Sequence, residues 1–194
     1  MEDIIKFYQE INKLKEMQRS GWVVEGVKDP EHIADHCFGV VLMTFLLGSK
    51  RQDIDLNKAI KMSIIHELAE SQTGDILVDW KLTVHKKEDL ERVKGAHGVT
   101  EKEKHNLEKA AMEKLAGFLG ISGKEVLDLW LEFEEQKTKE AVFVKSIDKI
   151  EMFLQAITYE KKGYNCDAWF RAPKNHPTDP EIAELFNYIL TRRK

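Results

Sequence analysis

The chain has few of the features that mark a secreted, membrane-spanning or nucleic-acid-binding protein. It has only two cysteines in 194 residues, too few for a disulfide framework and typical of a reducing cytoplasm. We find no apolar run long enough for a signal peptide or for the roughly 20 residues of a membrane span. The formal net charge of −4 and the lack of a long basic block argue against nucleic-acid binding. We therefore expect a cytoplasmic protein that binds neither nucleic acid nor membrane.

The chain does have enough apolar sequence for one core and a helical pattern nearly throughout. Apolar residues make up 42% of it, which suits one sizeable core and is short for two. The segment 33–47 is apolar almost all round and predicts a buried central helix. A long helix is expected over about 140–161, and Asp179 ahead of Pro180 predicts the start of the last one. Without a convincing run of strands, the predicted fold class is all-α in a single domain.

The most informative segment is the end of the helix that begins near Asp55. The apolar face of that helix consists of Leu56, Ala59, Ile60 and Ser63. Continued at 100° per residue, this face reaches Glu67 and Glu70, with His66 about 40° from Glu70. Buried carboxylates need partners, and a metal ion can hold several of them. The segment therefore predicts part of a metal site.

Two further polar residues lie on helices that belong to the core. His36 sits among the apolar residues of the central helix. Asp148 has Val144 and Met152 four residues before and after it, so it shares their core-facing side. A buried aspartate is rare unless it is paired or bound to a metal.

Each of these residues, taken singly, has an ordinary explanation. His36 could be a hydrogen-bonded core histidine, and Asp148 could pair with Lys145 or Lys149 or face water. The two glutamates could form a solvated edge with lysines of their own helix. Together, two histidines and two carboxylates on three helices fit a divalent-metal site, and the spacing does not choose among Mn²⁺, Co²⁺, Fe²⁺, Zn²⁺ and Mg²⁺.

The order His36, then His66-Glu67, then Asp148 resembles the HD-domain metal phosphohydrolases, and among them the 5′-deoxynucleotidase-like branch. The segments that carry the resemblance are Gly21-Trp22-Val23, Asp35-His36, His66-Glu67-Leu68-Ala69-Glu70, Gly74-Asp75 and the run from Phe143 to Met152. They lie between about residues 19 and 160. The resemblance implies one HD-type helical bundle over residues 1–194, with a last helix at about 180–193 packed on it.

The resemblance also implies roles for individual residues. One divalent metal ion would be held by His36, His66, Glu67 and Asp148. Glu70 would be the catalytic carboxylate, and Asp75 an acidic residue near the substrate. Trp22 would wall the nucleotide site, and Arg19 or Lys145 would neutralise phosphate.

One residue departs from the family pattern. The family is named after a His-Asp doublet, and this chain has Glu67 after His66. Glutamate binds the same metals, but its extra methylene moves the oxygens by about 1.5 Å. We expect the metal to shift, to bind more weakly, or to be bound by both oxygens.

The remaining histidines are interpreted as surface residues. His32 lies in the first turn of the central helix, and His85, His97 and His105 lie in a strongly charged stretch.

The resemblance implies the hydrolysis of deoxynucleoside 5′-monophosphates to deoxynucleosides and phosphate by a homodimer. An HD phosphohydrolase acting on another nucleotide is one alternative: a triphosphate, a cyclic dinucleotide or a guanosine polyphosphate. The second alternative is a weakly active relative that serves as a nucleotide-binding or scaffold protein, which the change at Glu67 motivates.

Overall fold

The computed structural model describes residues 2–78 and 97–193, with side chains in the second range from residue 99 onward. The α-helices are α1 (Glu2–Ile11), α2 (Ser20–Val24), α3 (Ile33–Gly48), α4 (Leu56–Ile65), α5 (Glu70–Thr73), α6 (Glu101–Gly117), α7 (Ile121–Glu135), α8 (Lys139–Glu160), α9 (Asp167–Arg171) and α10 (Pro180–Arg192). Two short strands, β1 (Leu77–Val78) and β2 (His97–Val99), pair in parallel. The all-α prediction is confirmed. Among the helices in the described ranges, none combines the length and apolar character that crossing a bilayer requires.

Contacts group the chain into two compact units, of which the first comprises Met1–Asp35 and Ile65–Leu131. Within it, the short helix α5 contacts α1 and α6. Gln72 on α5 accepts a 2.8 Å hydrogen bond from Nζ of Lys114 on α6. The position of α5 matters because its first residue is Glu70.

The second unit comprises His36–Ile64 and Glu132–Lys194. Its long helix α8 contacts α9 and α10. The ring of Phe153 on α8 lies 5.0 Å from that of Phe170 and 4.5 Å from that of Phe186. These aromatic contacts show which face of α8 packs against α9 and α10.

Helix α3 is not buried all round, so that prediction is wrong. Val40 and Thr44 are fully buried, whereas Phe38 is 70% exposed and Phe45 52% exposed. A helix that is apolar on every side has no contrasting polar face from which its solvent side could be predicted.

Helix α4 ends at Ile65, so the prediction of one helix running through Glu70 is also wrong. The backbone N–H of Leu68 bonds to the carbonyl of Ile65, and that of Glu70 to the carbonyl of Glu67, both at 3.1 Å. These three-residue steps turn the chain by about 120° per residue, as in a 3₁₀-helix, rather than by 100°. A helical wheel drawn for α4 therefore cannot be extended to Glu67 and Glu70.

Asp179 caps α10, as predicted, and also binds Arg51. Its Oδ1 accepts hydrogen bonds from the backbone N–H groups of Glu181 (3.1 Å) and Ile182 (3.2 Å). Nη1 of Arg51 lies 3.1 Å from both carboxylate oxygens, and both side chains are largely buried. One carboxylate thus joins the start of α10 to the loop after α3.

We expect Asp179→Ala to lower the free energy of unfolding by about 2–4 kcal/mol, because it removes the cap and half of a largely buried ion pair. Asp179→Asn should lose less, since the amide oxygen can still cap the helix. Denaturant unfolding monitored by circular dichroism measures both. Asp53→Ala, which removes the exposed partner of Arg51, is the control, and a loss as large as that of Asp179→Ala would contradict the expectation.

Candidate metal centre

The second unit contributes a histidine and an aspartate in direct contact. His36 on α3 is fully buried, and its Nε2 lies 3.1 Å from Oδ1 of Asp148 on α8. Nζ of Lys145 lies 3.3 Å from the other carboxylate oxygen of Asp148. The predicted pairing of Asp148 with Lys145 is therefore present together with the contact to His36.

Glu151 holds the other nitrogen of the same ring, and the sequence analysis gave it no role. Its Oε2 lies 2.6 Å from Nδ1 of His36. The available signal was its position three residues after Asp148, because residues three apart on a helix share one face.

The first unit contributes His66 and Glu67, in the turn between α4 and α5. His66 is buried, and its Nε2 lies 3.9 Å from Oε1 of Glu67. The same oxygen accepts a 3.1 Å hydrogen bond from Nη1 of Arg19, the residue before α2. Glu67 is thus paired with Arg19.

Arg19 also lies close to two further carboxylates. Its Nη1 is 3.7 Å from Oε2 of Glu70 and 3.6 Å from Oδ2 of Asp75. Asp75 is held in place by the backbone N–H of Ser20, which donates a 2.8 Å hydrogen bond to Oδ2. One guanidinium therefore faces three acidic side chains within the first unit.

Glu70 is the most unusual of these residues. It is 1% exposed, so the interpretation of this residue as part of a solvated edge is wrong. Among the described residues, its Oε2 has no hydrogen-bond partner. Burial raises the pKa of Glu70 well above its usual range, and the nearby carboxylates of Asp75 and Glu67 raise it further.

Lys104 on α6 is a second cation of this unit. It was not predicted from the sequence, because the charged residues around it are typical of a solvent-exposed segment. Its Nζ is 3.4 Å from Oε1 of the buried Glu108. Burial acts to lower the pKa of Lys104, but the charge of Glu108, and then those of Glu70 and Asp75, raise it overall. Lys104 therefore stays charged and offsets part of the acidic charge.

The predicted ligands of each unit pair a histidine with a carboxylate. His36 and Asp148 belong to the second unit, and His66 and Glu67 belong to the first. All four are of the residue types that hold a divalent metal ion. Two imidazoles and two carboxylates form a mixed N and O donor set that suits several divalent metals.

Other predicted positions are less informative. Trp22 is buried, and its indole N–H donates a 2.8 Å hydrogen bond to Glu31. His32 is partly exposed at the start of α3, beside Asp35. His105 is partly buried and stacks on Trp130, rather than lying on the surface as expected. His85 and the side chain of His97 lie outside the described residues.

Comparison with known proteins identifies the family. The sequence profile described as HD domain matches residues 11–176. The chain belongs to the HD-domain family. This HD protein is 38% identical over 174 residues to the 5′-deoxynucleotidase HDDC2 of Dictyostelium discoideum, over 86% of this chain and 83% of the relative. It is 32% identical over 194 residues to the protein of the same name from Xenopus laevis, over 98% and 87% of the two chains.

A solved structure has the same fold. The crystal structure of the PH0347 protein from Pyrococcus horikoshii OT3 superposes with a TM-score of 0.71 at 28% identity, covering 98% of this chain and 99% of that one. HD proteins are metal-dependent, so the cluster of histidines and carboxylates is a possible metal site of this chain.

We expect Glu70→Gln to stabilise the metal-free protein by about 0.5–2 kcal/mol near neutral pH, because a buried carboxyl with a raised pKa must either stay charged beside two carboxylates or take up a proton, and the amide does neither. Denaturant unfolding in the presence of a chelator measures the change. Glu113→Gln, an exposed substitution on α6, should shift stability by less than about 0.5 kcal/mol. A destabilised Glu70→Gln protein would show that Arg19 and Lys104 fully compensate the buried charge.

Proposed function

We propose that this HD protein hydrolyses deoxynucleoside 5′-monophosphates to deoxynucleosides and inorganic phosphate, using one divalent metal ion. The observation that carries the proposal is Glu70, a buried carboxylate with a raised pKa and an oxygen that lacks a hydrogen-bond partner among the described residues. The relatives named above are 5′-deoxynucleotidases and match this chain over most of its length. A buried carboxylate with a raised pKa and an unsatisfied oxygen is typical of a catalytic group that gains its hydrogen-bond partner only when substrate binds.

The metal ion would be held by His36, His66, Glu67 and Asp148. When bound, a divalent ion polarises a phosphate oxygen, offsets developing negative charge and lowers the pKa of water. The donor set accepts Mn²⁺, Co²⁺, Fe²⁺, Zn²⁺ or Mg²⁺.

Glu70 would act as the catalytic carboxylate. It would orient the attacking water and take its proton, and a pKa above the usual carboxyl range brings a general base closer to neutrality. Asp75, held by Ser20, would contact the sugar or assist the leaving oxygen. A nearby cation lowers the pKa of a carboxyl, so metal binding would return Glu70 toward its charged form.

Three side chains would bind the substrate. Arg19 would pair with the phosphate as well as with the carboxylates that it faces. Lys145, beside Asp148, would add a second positive charge. Trp22 would provide an apolar wall for the nucleoside.

We expect the purified protein to release phosphate from deoxynucleoside 5′-monophosphates when supplied with Mn²⁺, Co²⁺ or Mg²⁺, and to release less from the matched ribonucleotides. Glu70→Gln should lower kcat by about 10²–10⁴-fold because the general base is lost. A colorimetric phosphate assay across all substrate and metal combinations measures both. Glu113→Gln, on the exposed side of α6, is the matched control and should keep full activity.

The phosphate assay, chromatography of the reaction products and a metal-binding measurement together decide between the alternatives. Unchanged phosphate release by Glu70→Gln would overturn the role of this carboxylate. Turnover of triphosphates, cyclic dinucleotides or guanosine polyphosphates, but not of monophosphates, would favour another nucleotide phosphohydrolase. Absence of both turnover and metal binding would favour a nucleotide-binding or scaffold protein.

We further propose that the chain acts as a single HD domain in the cytoplasm and forms a homodimer. Cys37 and Cys166 are both thiols, which suits a reducing compartment. The exposed apolar residues on α3 form a stripe at helical spacing, and they are Phe38, Leu42, Phe45 and Leu46. Exposed apolar patches commonly mark association surfaces, and two equivalent copies of one stripe can cover each other about a twofold axis.

We expect the wild-type protein to be a dimer and the double variant Phe38→Lys, Phe45→Lys to be a folded monomer. The reason is that lysine charges cannot be buried in an apolar interface without partners of opposite charge. Size-exclusion chromatography with light scattering measures the mass. Ile121→Lys, at a 98% exposed position on α7, is the control and should leave the dimer intact. A wild-type monomer, or a dimer that survives the double substitution, would rule out this interface.

A further inference from the structure

The proposed reaction leaves one short contact of a predicted metal ligand without a role. His36 is fully buried between two carboxylates, with Nδ1 2.6 Å from Oε2 of Glu151 and Nε2 3.1 Å from Oδ1 of Asp148. Asp148 and Glu151 are three residues apart on α8, so one face of one helix presents both carboxylates to the ring. The two ring nitrogens are therefore assigned different partners.

The contact between Glu151 and His36 has the length of a charge-assisted hydrogen bond. Two donors bound to one ion at about 2.0–2.2 Å lie about 3 Å apart or more. At 2.6 Å these two atoms are too close to share an ion, and Nε2 is left as the nitrogen that faces a carboxylate of the predicted ligand set.

Gly39 makes room for Glu151. A Cβ built on Gly39 would lie 2.7 Å from Oε1 and 2.8 Å from Cγ of Glu151. Gly39 has an ordinary helical backbone, so its conformation does not require glycine. Glycine inside a helix costs roughly 0.5–1 kcal/mol relative to alanine. The close approach of Glu151 explains why a glycine stands at position 39 in spite of this cost.

We propose that Glu151 is a positioning residue, which accepts a hydrogen bond from Nδ1–H of His36 and so leaves Nε2 as the metal-binding nitrogen, and that Gly39 admits its carboxylate. A neutral imidazole has one N–H, so a proton held on Nδ1 leaves the lone pair on Nε2. A carboxylate on the far nitrogen also makes the ligating nitrogen more basic. The proposal rests on the metal site of the proposed function.

The first test compares two substitutions of nearly equal size. Glu151→Gln keeps an oxygen that can accept the hydrogen bond, whereas Glu151→Met fills the space without an acceptor. We expect Glu151→Met to raise the Kd for Mn²⁺ by about 10–100-fold, and Glu151→Gln to raise it less, because the amide keeps the hydrogen-bond acceptor and loses only the charge. Electron paramagnetic resonance of unbound Mn²⁺ measures the Kd without reference to activity, and circular dichroism checks that each variant is folded.

The second test measures which ring nitrogen of His36 carries the proton and which binds the metal. In Zn²⁺-loaded protein labelled with ¹⁵N-histidine, His36 should show a proton on Nδ1 and a metal-shifted Nε2. In Glu151→Met, we expect the Nδ1 proton to exchange faster with water or the ring to change its ligating nitrogen. A merely structural role for Glu151 would leave both signals as they are in the wild type.

The third test uses Gly39. Gly39→Ala should raise the Kd for Mn²⁺, although alanine is the better helix former, because its Cβ displaces the carboxylate. In a Glu151→Ala background, the same substitution should change the Kd by less than about twofold, since coupled sites are not additive. Equal effects of Gly39→Ala in both backgrounds would overturn the link between the two residues.

The outcomes separate this proposal from the metal site itself. Wild-type protein that binds none of Mn²⁺, Co²⁺ and Zn²⁺ would overturn the metal site and the role of Glu151 with it. Wild-type binding with an unchanged Kd in Glu151→Met would overturn the role of Glu151 alone.

Discussion

Within the first unit, the described acidic side chains around Glu67 outnumber the described cations that face them, and this charge balance constrains the local structure. Arg19 faces Glu67, Glu70 and Asp75, and Lys104 adds a second positive charge near them. Asp75 needs the backbone of Ser20 in addition. Burying carboxylates without full compensation destabilises a fold, so the proposed metal ion would add positive charge that these side chains lack among the described residues. Histidines beside carboxylates suit a divalent metal ion.

The sequence indicated candidate site residues more readily than it indicated the backbone that holds them. Histidine and carboxylate in apolar helices are rare without a partner, so they drew attention to a metal site, and the resemblance to the HD family assigned the candidate ligands. The turn at residues 66–69 was not, because each of its residues is compatible with a helix and only the hydrogen bonds of the folded chain distinguish a step of three from a step of four. The solvent face of α3 was missed for a similar reason, since its exposed and buried residues are both apolar.

Residues that support others were the hardest to predict. Lys104 and Glu151 both lie in charged stretches where solvated side chains are the usual outcome. What distinguishes them is a tertiary contact, with Glu108 for Lys104 and with His36 for Glu151. Gly39 belongs to the same class, because the reason for a glycine at this point of a helix lies on another helix. Such residues follow from the site once its geometry is known, and not from local pattern.

Glu67 keeps the charge of the family doublet and changes its contacts. Its Oε1 accepts a hydrogen bond from Arg19 and lies 3.9 Å from Nε2 of His66. An aspartate at the same backbone position would hold its oxygens about 1.5 Å nearer the main chain. With its neighbours unchanged, the shorter side chain would fall short of Arg19. The longer side chain therefore keeps the charge of the doublet and adds a contact to the cation that also faces Glu70 and Asp75, which ties the ligand to the residues proposed for catalysis.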